Sequence, residues 1–188
     1  MRTPAYEETD YGPLNCLIGT WEGDSGMDVA PEPDDDETNP YFETIVFTAA
    51  GDLTNAEEQT MAVVRYHQIV SRKSTGKVFH DQVGFWLWEP LSGQVIQTLT
   101  IPRAVTLLAG GRAVSEGDRI TFSVKSEDGD PEWGIVQSPF MQSKARTLAF
   151  RHELRVEGNR LSYEETTVLD IYGNKNYQHT DQNTLVKI

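Results

Sequence analysis

A chain of 188 residues with 38% hydrophobic and 24% charged residues is long enough for one sizeable core, since folding at this size removes roughly 70% of the unfolded chain's surface from water. Its net charge of −13 repels nucleic-acid phosphates and anionic lipid headgroups, which excludes both as partners, and no stretch approaches the roughly 20 apolar residues that a membrane helix needs. The single cysteine, Cys16, rules out an internal disulfide and a thiolate cluster for zinc or iron–sulfur, and is read as a small buried filler.

Met1 to Tyr11 carries acids, a proline and no apolar run. No secretory or mitochondrial leader is legible there, so the expected location is the cytoplasm. Residues 1–13 are expected as an extended N-terminal segment, and residues 1–188 as one domain. Gly19-Thr20-Trp21-Glu22-Gly23 then heads the first strand. Residues 31–39, which open with Pro31-Glu32-Pro33-Asp34-Asp35-Asp36-Glu37, form an acidic stretch that can bury nothing and predicts an exposed loop. Calcium is not expected on it, because adjacent aspartates lack the alternating oxygen spacing and the turn glycine of a calcium loop.

The remainder reads as period-two strands separated by Gly, Asp and Asn turns. Tyr41 to Phe47 ends at Gly51-Asp52, and Thr60 to Val70 follows. Phe79 to Glu89 stops at Pro90 and forms a hairpin with Gln94 to Thr100. Ala104 to Ala109, Arg119 to Ser126, Thr147 to Glu157, Arg160 to Ile171 and Gln178 to Ile188 complete the set, with turns expected at Gly110-Gly111, Gly117-Asp118, Gly158-Asn159 and Gly173-Asn174. Asn55 to Gln59 and Pro131 to Ser143 are the two places for a helical turn or a long loop. About ten strands of this kind predict an all-β chain, a single antiparallel up-and-down barrel that can enclose a ligand. The alternation of Phe150, His152, Leu154 and Val156 with Arg151, Glu153, Arg155 and Glu157 gives one dry face and one wet one, as in an antiparallel sheet and unlike a doubly wound parallel one.

Hydrolytic chemistry finds no support. The chain has no Gly-x-Ser-x-Gly, no His-Glu-x-x-His, no P-loop and no dinucleotide fingerprint. Glu164 and Glu165 are neighbours on one strand, so they point to opposite faces and cannot work as a facing carboxylate pair.

The Gly-x-Trp at residues 19–21 resembles the opening motif of the calycin superfamily, which includes lipocalins and fatty-acid-binding proteins, where the Trp plugs the closed end of the barrel. Three features narrow the resemblance to the nitrobindin group of haem-binding barrels. Leu17-Ile18-Gly19-Thr20-Trp21-Glu22-Gly23, with Phe42-Glu43-Thr44-Ile45 behind it, is similar to that family's start. Phe79-His80-Asp81-Gln82-Val83-Gly84-Phe85 is similar to its hydrophobic-His-x-x-x-Gly-aromatic signature. Leu161-Ser162-Tyr163 and then His179, Leu185 and Lys187 stand where the family has its penultimate and last strands.

The resemblance implies a b-type haem near the open end of the barrel. His179 is the implied axial iron ligand, and His80 is implied on the distal side. Thr167 and Leu169 fall where the family presents a haem-contacting Met. Members of the family bind nitric oxide and isomerise peroxynitrite to nitrate. Trp86 and Trp88 share strand parity with His80 and are expected among the pocket walls; packing as core is their other reading. His152 shares the apolar face of Phe150 and Leu154 and is the reserve iron ligand, while His67 has no clear face. Arg72, Lys73 and Lys77, at one strand end, could pair with propionates or a fatty-acid carboxylate. The chain departs from the family in the polar run Thr180-Asp181-Gln182-Asn183-Thr184, the approach loop at 173–176 and the acidic insert. The rival readings are therefore a haem-free carrier of a small hydrophobic ligand such as a fatty acid, and a barrel whose interior is filled by its own side chains. Assembly is left open, a homodimer included.

Overall fold

The computed structural model describes residues 9–31 and 36–188. A short 3-10 helix, η1 (Gly12–Cys16), precedes β1 (Gly19–Pro31), β2 (Asp36–Asn55), β3 (Gln59–Arg72), β4 (Val78–Glu89), β5 (Gln94–Ile101), β6 (Val105–Glu116), β7 (Arg119–Glu127), β8 (Ile135–Gln137), α1 (Pro139–Lys144), β9 (Ala145–Glu157), β10 (Arg160–Ile171) and β11 (Asn174–Lys187). Ten of these strands run antiparallel in a ring, β1-β2-β3-β4-β5-β6-β7-β9-β10-β11, which β1 closes by pairing with β11. The short β8 lies outside that ring on β6, with Val105 opposite Gln137. The expected all-β antiparallel barrel is therefore what the chain forms.

Closure follows from the alternation. Along β9 Phe150, His152, Leu154 and Val156 are buried while Arg151, Arg155 and Glu157 are exposed. Every strand that repeats this pattern needs a dry partner for one face, and a ring supplies it without leaving a sheet edge. The inward side chains of Ile45, Phe47, Val64, Trp86, Val95, Phe122, Leu154, Leu161 and Leu185 merge into one core.

One end is sealed. Leu14, Leu17 and Trp21 are fully buried there, and the Trp21 indole Nε1 donates to the Leu17 carbonyl at 2.7 Å. Gly12 sits at φ +49° against the ring of Trp88, where a Cβ would come within 2.3 Å of it. The Gly-x-Trp motif thus lies in the floor of the barrel. The other end gathers the β3–β4, β5–β6 and β10–β11 connections and α1, and is the open end.

Four local expectations are corrected. Gly110 and Gly111 are not a turn but lie in mid-strand in β6, because the Trp133 ring packs 2.3 Å from where a Gly110 Cβ would stand and the Ser123 carbonyl oxygen 1.8 Å from that of Gly111. The strand around Tyr41 to Phe47 does not end at Gly51-Asp52; it passes through a bulge between Ala49 and Asp52, with Gly51 at φ +76°, and runs on to Asn55. Asn55 to Gln59 is a tight hairpin turn with Ala56 and Glu57 at positive φ rather than a helical turn. Within the acidic run, Pro31 pairs with Asp36 and Ala30 with Glu37, so β1 and β2 extend into what is read as a loop; residues 32–35 lie outside the described residues. The helix allowed for between Pro131 and Ser143 is α1, capped by the Ser138 hydroxyl, which accepts from the Met141 amide.

Candidate functional site

The inward positions of β11 are Tyr177, His179, Asp181, Asn183 and Leu185, set by the period of two counted back from the fully buried Leu185. The first three face the open end. His179 Nε2 lies 2.9 Å from Asp28 Oδ1 on β1 and 3.6 Å from Asp181 Oδ2 on its own strand. Asp28 is buried, and His179 is 23% exposed. A carboxylate can only accept, so the shared proton sits on Nε2 and that nitrogen is a donor in this arrangement. Burial alone would lower the His179 pKa, but the bond to Asp28 and the nearby Asp181 and Glu165 carboxyls outweigh it and hold it above its ordinary value. Burial pushes Asp181 up to about 6, against the pull of His179.

His80 enters from β4, opposite Val70 of β3, and faces the same end within electrostatic reach of His179 and Asp28. Its Nε2 is bonded to Gln82 Oε1 at 3.2 Å, which makes Nε2 the protonated nitrogen of a neutral ring. Burial holds its pKa below the ordinary value, with Gln82 opposing and Arg103 adding to the fall. The bond begins a chain that descends into the barrel. Gln82 Nε2 donates to the Tyr66 hydroxyl at 2.8 Å, Gln97 Nε2 donates to the same hydroxyl at 3.1 Å, and Gln97 Oε1 accepts from His152 Nδ1 at 3.0 Å. A second cluster surrounds Glu43, which accepts from Gln68 at 2.6 Å, Asn183 at 2.6 Å and the Tyr163 hydroxyl at 3.0 Å. Burial pushes Glu43 up to about 7, although these three donors pull the other way.

The structure therefore brings part of the predicted set together. His179 and His80 share the open end; Thr167 is the direct cross-strand neighbour of His179 on β10, and Leu169 pairs with Tyr177. The two tryptophans are elsewhere. Trp86 lies deep in the core with ring centroids 5.6 Å from Phe122 and 5.7 Å from His152, and Trp88 packs against η1 at the closed end. His152, the reserve ligand, is buried and tied to Gln97, and burial pushes its pKa down to about 3. His67 is on the outer face, bonded to Asp81 at 2.9 Å. Arg72 and Lys73 reach the open end but lie over the rings of Phe79 and Phe42. Sequence reasoning missed Asp28, Asp181 and Glu43 as site residues. Asp181 could have been found from its shared parity with His179; Asp28 could not, being 151 residues away in the chain.

The family model described as "THAP4-like, heme-binding beta-barrel domain" matches residues 10–187. The chain belongs to this family of THAP4-like, haem-binding β-barrel domains. Among solved structures, the crystal structure of Rv2717c from M. tuberculosis is similar at 22% identity with a TM-score of 0.73, covering 95% of this chain and 99% of that one; at that identity the likeness speaks for the fold. Membership of a haem-binding THAP4-like family supports haem as the cofactor and agrees with the nitrobindin-like resemblance read from the motifs.

The residues at the open end suit such a group in donor type. A histidine imidazole is an ordinary axial ligand of haem iron, and His179 faces inward from the last strand. Its Nε2 is engaged by Asp28, so iron ligation and the Asp28 bond exclude one another. Deeper in the barrel the void lined by Tyr66, Trp86, Gln97, His152 and Tyr163 is about 10 Å³, the size of one water, too small for a porphyrin. Among the described residues, no helix is long and apolar enough to cross a membrane.

Proposed function

We propose that this barrel binds b-type haem at its open end through the His179 imidazole, with His80 on the opposite, distal side. The observation that supports this best is the convergence on one end of the barrel of two inward-facing histidines from β4 and β11, in a chain of a haem-binding family. Haem would supply an iron centre able to take nitric oxide or to turn peroxynitrite into nitrate. The chain's own residues do the rest. His179 provides a nitrogen donor once Asp28 gives up its Nε2, and Thr167 and Leu169 stand beside it on β10. His80, kept neutral by burial and fixed by Gln82, presents its unprotonated Nδ1 to an incoming ligand. The void of about 10 Å³ in the middle of the barrel has no space for an acyl chain, which counts against the fatty-acid carrier there.

Titration with hemin, read by visible absorption, tests the proposal. The expected result is a sharp Soret band saturating at one equivalent, lost in His179→Ala and altered but kept in His80→Ala. An unchanged band in His179→Ala would remove the proposed ligand. Nitric oxide binding and peroxynitrite decay are then measured on the hemin-loaded protein, and no response in either would leave haem binding without the proposed chemistry.

A further inference from the structure

Three groups converge on one oxygen inside the barrel. The Tyr66 hydroxyl, on β3, lies 2.8 Å from Gln82 Nε2 of β4, 3.1 Å from Gln97 Nε2 of β5 and 3.3 Å from the Thr98 carbonyl oxygen. Tyr66, Gln82 and Gln97 are all buried, so their polar atoms find their partners within the barrel. Burial pushes the Tyr66 pKa up, and the hydroxyl keeps its single hydrogen. A carbonyl oxygen can only accept, so that hydrogen goes to Thr98 and the hydroxyl oxygen accepts from both amides. Each amide, having turned its NH₂ to Tyr66, presents its oxygen on the other side. Gln82 Oε1 stands 3.2 Å from His80 Nε2, and Gln97 Oε1 stands 3.0 Å from His152 Nδ1.

We propose that Tyr66 is a positioning residue for the mouth of the barrel: through Gln82 its hydroxyl locks His80 with the hydrogen on Nε2 and an acceptor lone pair on Nδ1, and through Gln97 it locks His152 in the opposite tautomer.

A neutral imidazole has one hydrogen to place, and its two nitrogens differ only by that choice. Both rings are neutral for the same cause, since burial lowers the His80 pKa and pushes that of His152 down to about 3. An independent observation agrees with the lock. His152 Nε2 is buried and has no hydrogen-bond partner among the described residues. In the assigned tautomer it is a lone pair, and the void of about 10 Å³ that His152 lines with Gln68 and Tyr163 has room for one water to donate to it. His80 Nδ1 likewise accepts no hydrogen bond among the described residues, so a ligand beside it meets an acceptor and not a donor.

The lock stands on the geometry of Tyr66; its bearing on a bound ligand rests on the proposed place of His80 on the distal side.

The experiment is long-range ¹H–¹⁵N correlation spectroscopy of the full chain labelled with ¹⁵N-histidine, at pH 7 and without hemin, with the rings assigned from His80→Gln and His152→Gln. The expected result is one protonated nitrogen in each ring, Nε2 in His80 and Nδ1 in His152. In Tyr66→Phe both rings should shift towards the averaged ¹⁵N values of a tautomer mixture, while His67, bonded to Asp81 on the outer face, keeps its signals. Gln82→Met should release His80 alone and Gln97→Met His152 alone, which a general loosening of the barrel would not do. A hydrogen on His80 Nδ1 or on His152 Nε2 in the natural chain, or both tautomers retained in folded Tyr66→Phe, would overturn the proposal. If Tyr66→Phe fails to fold, the natural chain still decides: cross-peaks from the Tyr66 ring to the side-chain NH₂ protons of both Gln82 and Gln97 are expected, and their absence overturns it. Hemin titration separates the two readings, because the expected tautomers without hemin binding sink the haem proposal alone, and hemin bound by His179 with the wrong tautomers sinks this one alone.

Discussion

Replacing Glu43 by Gln should flatten the dependence of stability on pH. Glu43 is buried, and its pKa is pushed from 4.5 to about 7 by removal from water. The folded state therefore holds a proton that the unfolded chain has already released. The stability from this group is fully present below about pH 4.5 and declines as pH rises to about 7; at about 1.4 kcal/mol for each pH unit the whole loss is about 3 kcal/mol. Gln cannot titrate, so its variant lacks this slope. It also carries a cost of its own. The carboxylate accepts from both the Gln68 and the Asn183 amides, and Asn183 is held in orientation because its Oδ1 accepts from the Thr184 amide at 2.8 Å. A Gln NH₂ would meet one of these donors, which leaves a buried polar group unsatisfied at about 1–3 kcal/mol. Urea denaturation of both proteins at pH 5 and pH 7.5 supplies the numbers. The difference between the proteins reports Glu43 together with its electrostatic coupling to Asp181 and Glu165. The expected outcome is a variant less stable at pH 5, with the gap narrowing by about 2–3 kcal/mol at pH 7.5; a gap that stays constant or widens would refute the reasoning.

His152 should act with the opposite sign. Its pKa falls from 6.5 to about 3 on burial, so stability is lost as pH drops from about 6.5 towards 3, on the order of 5 kcal/mol in full, and His152→Gln should show a shallower acid limb in the same denaturation series. Gly84→Ala should be severe, because the new Cβ would stand 1.9 Å from the backbone oxygen of Thr98 on β5; a loss of about 3 kcal/mol or more is expected by calorimetry, at the upper end of overpacking costs. Tyr163→Phe removes a donor to Glu43 and the hydroxyl partner of Tyr41, and should cost about 1–2 kcal/mol in urea with the barrel's circular dichroism unchanged.

The barrel was legible because its signals are local. Alternating burial along β9, the turns at Gly117-Asp118 and Gly158-Asn159, and Trp21 in its Gly-x-Trp setting each depend on neighbours a few residues away. Gly110-Gly111 misled for the opposite reason: glycine is needed there by Trp133 and by the Ser123 backbone, neither of which is near in sequence. The open end was half legible. Parity placed His80 on the inner face of β4, but parity alone does not give height in the barrel, so Trp86 and Trp88 passed for neighbours of the mouth when the strand carries them down to the core and floor. Asp28 was out of reach because its partner His179 arrives only when β1 and β11 meet at the end of ring closure.

Haem binding is decided by what His179 holds when hemin is present. A crystal structure of the full chain grown with one equivalent of hemin decides it. The prediction is iron bound to His179 Nε2 at the open end, with the Asp28 carboxylate withdrawn from that nitrogen and His80 on the other face of the porphyrin. Iron bound by His152 or by an outer-surface residue such as His67, with the Asp28–His179 bond intact, would contradict it.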